Sequence, residues 1–259
     1  MITRLLLLLY TIYASIVFLI FMFLCAPLIT IPLLFKLHGN RLSFRGLHLW
    51  AQGFRLFSGI RYQIEGQEHL KDGRTYIFTP THTSYLDAPA LPLVAPGPFK
   101  TLAKKEIAAI PAFGWVARAV TEMVDRSNAE SRRQSIERLT HALRSGTSLL
   151  VFPEGTINKT TAPLAPFYDG AFRIALETQT PVVPIVIRGA SKLMPPGSSL
   201  MRPGKITVKI LPPLMPSEEA GDTVETFKRQ VYQLMAGEIT HAVPLASQTK
   251  KDTAEAVSL

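Results

Sequence analysis

The chain has 259 residues, 47% of them apolar, and a formal net charge of +9. That length can bury one sizeable core, so one domain plus an appendage is expected. The single cysteine, Cys25, excludes an internal disulfide and cannot build a zinc site, so no metal ligand set is expected from it.

The N-terminal segment carries no charged residue between Arg4 and Lys36. Its core, residues 5–24, has the length of one bilayer-spanning helix, about 20 residues. It is too long for the apolar core of a cleaved signal peptide. Pro27 and Pro32 are expected to interrupt the helix, while residues 28–35 stay apolar. Two readings follow: a single span ending near Ala26, or a helical hairpin that dips into one leaflet and returns.

Residues 1–64 hold Arg4, Lys36, Arg41, Arg45, Arg55 and Arg61 and no Asp or Glu. Basic residues beside a greasy segment attract anionic headgroups by about 1 kcal/mol each. The placement of the charge therefore points to a phospholipid membrane as partner and away from nucleic acid. Lys36, Arg41 and Arg45 outweigh Arg4, which puts the following domain on the cytoplasmic face of the cytoplasmic membrane. Residues 42–60 mix large apolar side chains with Arg45 and Arg55. They read either as an interfacial helix at the headgroups or as a core helix of the domain.

After Gly59 short apolar strands alternate with helical stretches. Strands are expected over 61–65, 75–78, 123–125, 148–152, 182–187 and 206–211, and helices over 85–93, 107–120, 129–144, 171–178 and 223–240. The alternation predicts an α/β domain: a mostly parallel mixed sheet flanked by helices, behind an N-terminal membrane-embedded helix or hairpin. The expected division is an anchor at 1–40, a catalytic domain at 41–242 and a disordered tail at 243–259.

The residues with chemistry sit at strand ends. His82 and Asp87 stand five positions apart at a strand-to-helix turn. That spacing does not align them on one helix face. With His82 in the loop and Asp87 in the first turn, the carboxylate can fold back onto the ring, with Thr83 or Ser84 as the cap. A carboxylate on one imidazole nitrogen fixes the tautomer and frees the other to take a proton from a hydroxyl. The G-x-S-x-G elbow of a serine hydrolase is absent. Phe152-Pro153-Glu154-Gly155-Thr156 follows a second strand; a carboxylate beside a glycine there suits a polar ligand, or an ordinary turn. Lys104, Lys105 and, after a short strand, Arg126 suit a phosphate; the alternative is a surface ion pair of Arg126 with Asp125 or Glu122. His38, His48, His69, His141 and His241 have no motif partner and read as structural or exposed.

In order and spacing these blocks resemble the glycerolipid acyltransferase family. His82 to Asp87 matches its His-x4-Asp block. Gly114 through Arg126 matches its glycine, aromatic and arginine block. Phe152 to Thr156 matches its Phe-Pro-Glu-Gly-Thr block, and Val183-Pro184-Ile185 its Val-Pro-Ile strand. The resemblance implies direct transfer of a fatty acyl group from acyl-CoA or acyl carrier protein to the 2-hydroxyl of 1-acylglycerol-3-phosphate. His82 would be the general base and Asp87 its partner. Glu154, Gly155 and Thr156 would hold the acceptor, and Arg126 with Lys104 or Lys105 would meet its phosphate. A thioester is already activated, so neither metal nor cofactor is expected. The family usually continues Glu-Gly-Thr with Arg-Ser, where this chain has Ile157-Asn158. It usually places a basic pair before a later glycine, where this chain has Tyr168-Asp169 before Gly170. Lys159, Arg173 or Arg188 could compensate. Otherwise the acceptor is another lysolipid, such as a lyso-ornithine lipid, or glycerol phosphate.

Overall fold

The computed structural model describes residues 2–35, 41–106, 114, 116–117, 121–125, 127–217 and 221–241. Among them, seven strands form one sheet: β1 (Ile60–Glu65), β2 (Ile77–Pro80), β3 (Phe99–Lys104), β4 (Thr121–Val124), β5 (Ser148–Leu150), β6 (Val182–Arg188) and β7 (Gly204–Ile210). Their order is β1-β7-β6-β2-β5-β3-β4. Every neighbouring pair is parallel except β6 with β7. The described helices are α1 (Ile2–Leu34), α2 (Arg41–Phe57), α3 (Ala90–Val94), α4 (Ala129–Arg144), α5 (Gly170–Thr178), α6 (Ala190–Leu193) and α7 (Val224–His241). This is the mostly parallel mixed sheet the alternation predicts.

Strands buried on both faces read as near-continuous apolar runs, and β6 does so; all four residues of β2 are buried as well. Phe78, Val183 and Ile185 join one core with α1, α2 and α3. Ile77, Val182 and Val186 join a second core with Leu139 of α4, Phe172 of α5, and Phe227 and Val231 of α7.

Four expectations need correction. Pro27 and Pro32 do not end α1, which runs through both to Leu34. A proline frees a carbonyl one turn back, but packing can keep the helix going. Between the two prolines, Ser43 Oγ of α2 donates to Ile29 O at 2.9 Å. The helix expected over 85–93 is split into a 3₁₀ turn, Tyr85–Asp87, and α3; Pro89 has no N–H to continue the ladder. Strand β3 went unread because Phe99-Lys100-Thr101-Leu102-Ala103-Lys104 lacks an apolar run, yet it pairs on both sides. Strand β2 begins two residues later than expected, and β5 ends at Leu150; Val151 N still donates to Phe78 O at 2.9 Å, and Phe152 lies beyond the strand. The helix expected over 107–120 lies mostly outside the described residues, as does the tail from 243.

Helix α1 is about 50 Å long at 1.5 Å per residue, against a hydrocarbon core of about 30 Å. It is long and apolar enough to cross a membrane, and Leu5, Leu9, Ile16, Phe23 and Leu24 stand exposed on it. Helix α2 returns antiparallel along it. Tyr10 Oη donates to Ser58 O at 2.7 Å near one end, and Ser43 meets Ile29 near the other. The helices approach closely at Gly53, where an added Cβ would fall 2.1 Å from Phe21 Cδ1. Residues 41–57 form α2, which packs as a core helix on one face. Leu47, Trp50, Ala51 and Phe54 are buried against α1 and the sheet, while Leu42, Leu49 and Leu56 are exposed.

Candidate active site

Strands β2, β5, β3 and β4 are parallel neighbours, so their carboxyl ends share one edge of the sheet. Sites in open α/β sheets form beyond that edge. His82 follows β2, Glu154 follows β5, Lys104 ends β3, and Asp125 follows β4.

The turn after β2 is fixed by its own hydrogen bonds. Thr81 N donates to Ile185 O at 2.9 Å, and Ile187 N donates to Thr81 Oγ1 at 2.9 Å. Ser84 is extended and caps the 3₁₀ turn: Leu86 N donates to Ser84 Oγ at 3.2 Å. In return Asp87 Oδ2 accepts from Ser84 N at 2.8 Å and from Thr83 N at 2.7 Å. The same oxygen lies 3.1 Å from His82 Nδ1. An ionised carboxylate can only accept, so Nδ1 carries the hydrogen and Nε2 holds the free lone pair. The expected fold-back of Asp87 onto His82 is present, made by a capped 3₁₀ turn rather than the first turn of an α-helix.

Asp87 is fully buried, and its Oδ1 has no partner among the described residues. Burial pushes its carboxyl above the usual range, while His82 and the amides of Ser84 and Thr83 pull it back. Tyr62 lies alongside, its Oη donating to Leu86 O at 3.0 Å. Burial first, and the Asp87 charge second, hold the Tyr62 hydroxyl well above its ordinary pKa.

Glu154 does not face outward. Its Oε1 accepts from His82 N at 2.9 Å and its Oε2 from Ala165 N at 2.8 Å, leaving it 2% exposed. Burial raises its carboxyl, against those two amides. The carbonyl of His82 accepts from Asn158 N at 2.7 Å. The loop after β5 therefore grips the His82 backbone at both its donor and its acceptor. Phe152, just released from β5, stacks on the imidazole with centroids 3.9 Å apart and planes at 22°. Sequence reasoning gave Phe152 no role, and its only signal was membership of the same five-residue block. Gly155 has φ +70, and a Cβ there would fall 2.7 Å from Tyr168 Cε2. Thr156 is exposed.

Lys105 Nζ pairs with Asp125 Oδ2 at 2.5 Å. That pair and the Ser127 hydrogen bonds hold the Asp125 carboxyl down to about 2. Glu122 pairs with Arg138 at 2.5 Å. Both carboxylates considered as partners for Arg126 thus already have a cation. Arg126 itself, and the side chain of Lys104, lie outside the described residues.

The divergent positions have local tasks. Asn158 Oδ1 accepts from Thr160 N at 2.9 Å and Thr160 Oγ1 at 2.7 Å, while its Nδ2 donates to Ala162 O at 3.0 Å. Tyr168 N donates to Pro153 O at 2.8 Å, and its side chain is 70% exposed over Gly155. Asp169 accepts from Lys228 Nζ at 2.8 Å. Of the three cations that could compensate, Arg188 is paired with Glu238 at 2.9 Å. Lys159 and Arg173 are exposed. Two histidines read as structural are so: His48 Nδ1 lies 2.9 Å from Pro92 O and His69 Nδ1 3.0 Å from Ile210 O.

Residues 61–188 match the family model described as Acyltransferase. A 1-acyl-sn-glycerol-3-phosphate acyltransferase of Cocos nucifera is 32% identical over 204 residues, covering 78% of this chain and 65% of that protein. A protein of the same description from Saccharomyces cerevisiae is 31% identical over 187 residues, covering 70% and 60% respectively. The chain thus spans 65% of the length of the coconut relative and less of the yeast one. The crystal structure of PlsC, the 1-acyl-sn-glycerophosphate (LPA) acyltransferase of Thermotoga maritima, superposes with a TM-score of 0.72. It covers 92% of this chain and 96% of that one at 24% identity, a likeness of fold. The matched residues run from β1 to the end of β6 and take in all four sequence blocks, so residues 61–188 form an acyltransferase-family domain.

Proposed function

We propose that this chain is a membrane-anchored O-acyltransferase. It moves a fatty acyl group from acyl-CoA or acyl carrier protein to the 2-hydroxyl of 1-acylglycerol-3-phosphate, giving phosphatidic acid. The observation that supports this most is the 3.1 Å approach of Asp87 Oδ2 to His82 Nδ1 at the carboxyl edge of the sheet. The descriptions of the relatives supply the reaction class.

Asp87 holds the Nδ1 hydrogen, and Nε2 takes the proton of the acceptor hydroxyl as its oxygen attacks the thioester carbonyl. The ester C–O bond forms, the C–S bond breaks, and the proton passes from His82 to the departing thiolate. Such proton transfer contributes about 10²–10⁴ in rate. Glu154 acts on His82 through its backbone; Gly155 and Thr156 border the acceptor. Arg126 with Lys104 or Lys105 meets the acceptor phosphate. Residues 1–40 anchor the domain of residues 41–242 at the cytoplasmic face, with the apolar face of α1 in lipid.

A second reading, transfer to another lysolipid such as a lyso-ornithine lipid or to glycerol phosphate, rests on one observation. The loop positions 157, 158, 168 and 169 bring an apolar residue, an amide, a phenol and an ion-paired acid where cations would bind phosphate. Purified protein offered labelled acyl-CoA and a panel of acceptors separates the two. Ester formed on 1-acylglycerol-3-phosphate supports the first reading. Product formed only on the other acceptors of the panel, glycerol phosphate included, would sink it.

A further inference from the structure

One face of α1 belongs to the catalytic domain. Ala14, Val17, Met22, Cys25 and Ile29 are buried, and Thr11 lies one helical turn before Ala14, on the same stripe. The Thr11 hydroxyl makes two bonds. It donates to Leu7 O at 2.7 Å, and its lone pair accepts Met201 N at 2.9 Å. Next to it, Tyr10 Oη donates to Ser58 O, just before β1.

Met201 belongs to the loop of residues 194–203 between α6 and β7. That loop is closed at its neck, where Arg202 N donates to Leu193 O at 2.9 Å. Pro195, Pro196 and Pro203 fix φ along it. Met201 is buried in the core that also holds α1, and Met194 packs against that core. Met194 and Met201 each adjoin one of the two bonded residues, so the path between them crosses the neck and not the length of the loop. Met194 O accepts from Ser84 Oγ at 2.8 Å. Ser84 N in turn donates at 2.8 Å to Asp87 Oδ2, the oxygen that meets His82 Nδ1 at 3.1 Å. A short run of hydrogen bonds therefore leads from the long apolar helix to the imidazole.

We propose that Thr11 is a positioning residue for the His82–Asp87 pair, acting through the neck of the 194–203 loop and Ser84. The inference rests on the transfer reading above and adds α1 to the scaffold that sets its acid–base geometry. Ser84 is the point of leverage, since it both caps the 3₁₀ turn and donates to the Asp87 carboxylate. A small shift of Ser84 moves that carboxylate relative to the ring, and proton transfer requires heavy atoms within about 2.6–3.2 Å. Displacements far from the reacting atoms reach the rate in this way.

The test uses the full chain in detergent with labelled acyl-CoA and a lysophospholipid acceptor. Thr11→Val keeps the shape and removes the acceptor of Met201 N, whereas Thr11→Ser keeps the oxygen. Thr11→Val should lower kcat at least about threefold, with each KM changed less than about twofold. Thr11→Ser should restore kcat, and binding of Thr11→Val to phospholipid vesicles should match wild type. Full kcat in Thr11→Val, a loss that Thr11→Ser does not restore, or a loss that tracks lost vesicle binding overturns the proposal. In a chain already carrying Ser84→Ala, Thr11→Val should cost nothing further, because the route is already cut; losses that multiply overturn the route. The geometry is also read without turnover, from the imidazole NMR signals of His82, assigned by their absence in His82→Ala. Thr11→Val should move them and leave in place those of His69, which lies against Ile210 O. Unmoved His82 signals overturn the positioning role. Wild type that transfers acyl groups to no acceptor, with His82 signals that Thr11→Val still moves, overturns only the transfer reading.

Discussion

Glu154 reaches His82 through the backbone, its Oε1 accepting the His82 amide at 2.9 Å while its Oε2 takes the amide of Ala165. A carboxylate engaged by two buried amides has little capacity left for a substrate hydroxyl. It ties the loop after β5 to the turn after β2 and sets where the imidazole stands. Glu154→Ala should therefore lower kcat with the acceptor KM changed less than about threefold, and unfold at lower temperature. Two buried amides left without acceptors cost about 1–3 kcal/mol each. A large rise in acceptor KM at unchanged kcat would return Glu154 to the role of acceptor ligand.

His82→Ala removes the base and should reduce transfer at least ~100-fold at normal expression and folding. Asp87→Asn keeps the shape but leaves the neighbouring Nδ1 free to lose its hydrogen, so a comparable loss is expected with little change in either KM. Steady-state kinetics of the two variants and the double variant decide this. Losses that multiply in the double variant would show that the two residues do not act as one unit.

Phe152 lies flat on the His82 ring at 3.9 Å. Stacked pairs are worth about 0.5–1.5 kcal/mol beyond area burial, and here that energy restricts imidazole rotation. Phe152→Leu should cost roughly 2–10-fold in kcat with thermal stability nearly kept. Full activity in this variant would reduce the ring to packing.

Gly155 sits at φ +70 with the Tyr168 ring where a Cβ would go. Gly155→Ala should lose stability through two causes, the left-handed backbone and the clash. The backbone part is about 1–2 kcal/mol. Tyr168→Ala in the same chain relieves only the clash, so the double variant should recover part of the loss and no more. Complete recovery, read from thermal unfolding, would show that the backbone carries no strain.

The Asp87 carboxyl is held above its ordinary value near 3.8, chiefly by burial. A group whose pKa is higher in the fold than in the unfolded chain binds its proton more tightly when folded. Its contribution favours folding below the unfolded value and is lost as pH rises through the folded one. The stability of wild type relative to Asp87→Asn should therefore decline as pH rises from about 4. Transfer runs the other way, since the ionised carboxylate is the working form, and should fall with pH on the acid side. A difference in unfolding free energy that is flat, or that grows with pH, would show that burial does not dominate at this site.

Much of this was legible in the residues themselves. The strand–helix alternation gave the α/β class because period and turn chemistry are local properties. The His82–Asp87 and Phe152–Thr156 blocks were visible because each is contiguous and follows an apolar strand. The length of the N-terminal apolar run was plain, since hydropathy needs no partner. Its continuation through Pro27 and Pro32 was not, because proline is a local stop signal and the packing of α2 along this stretch exists only in the fold.

The sequence determined which residue types stand at strand ends, and with them the His82–Asp87 block. Tertiary structure alone decided the direction in which Glu154 points, the stacking of Phe152 on His82 and the occupation of Lys105 by Asp125. It also decided the pairing of Arg61 with Lys205 across strands far apart in the chain. Hydrogen-bond partners and cross-strand neighbours are set by sheet order and register, and those follow from packing two cores at once, which no local window contains.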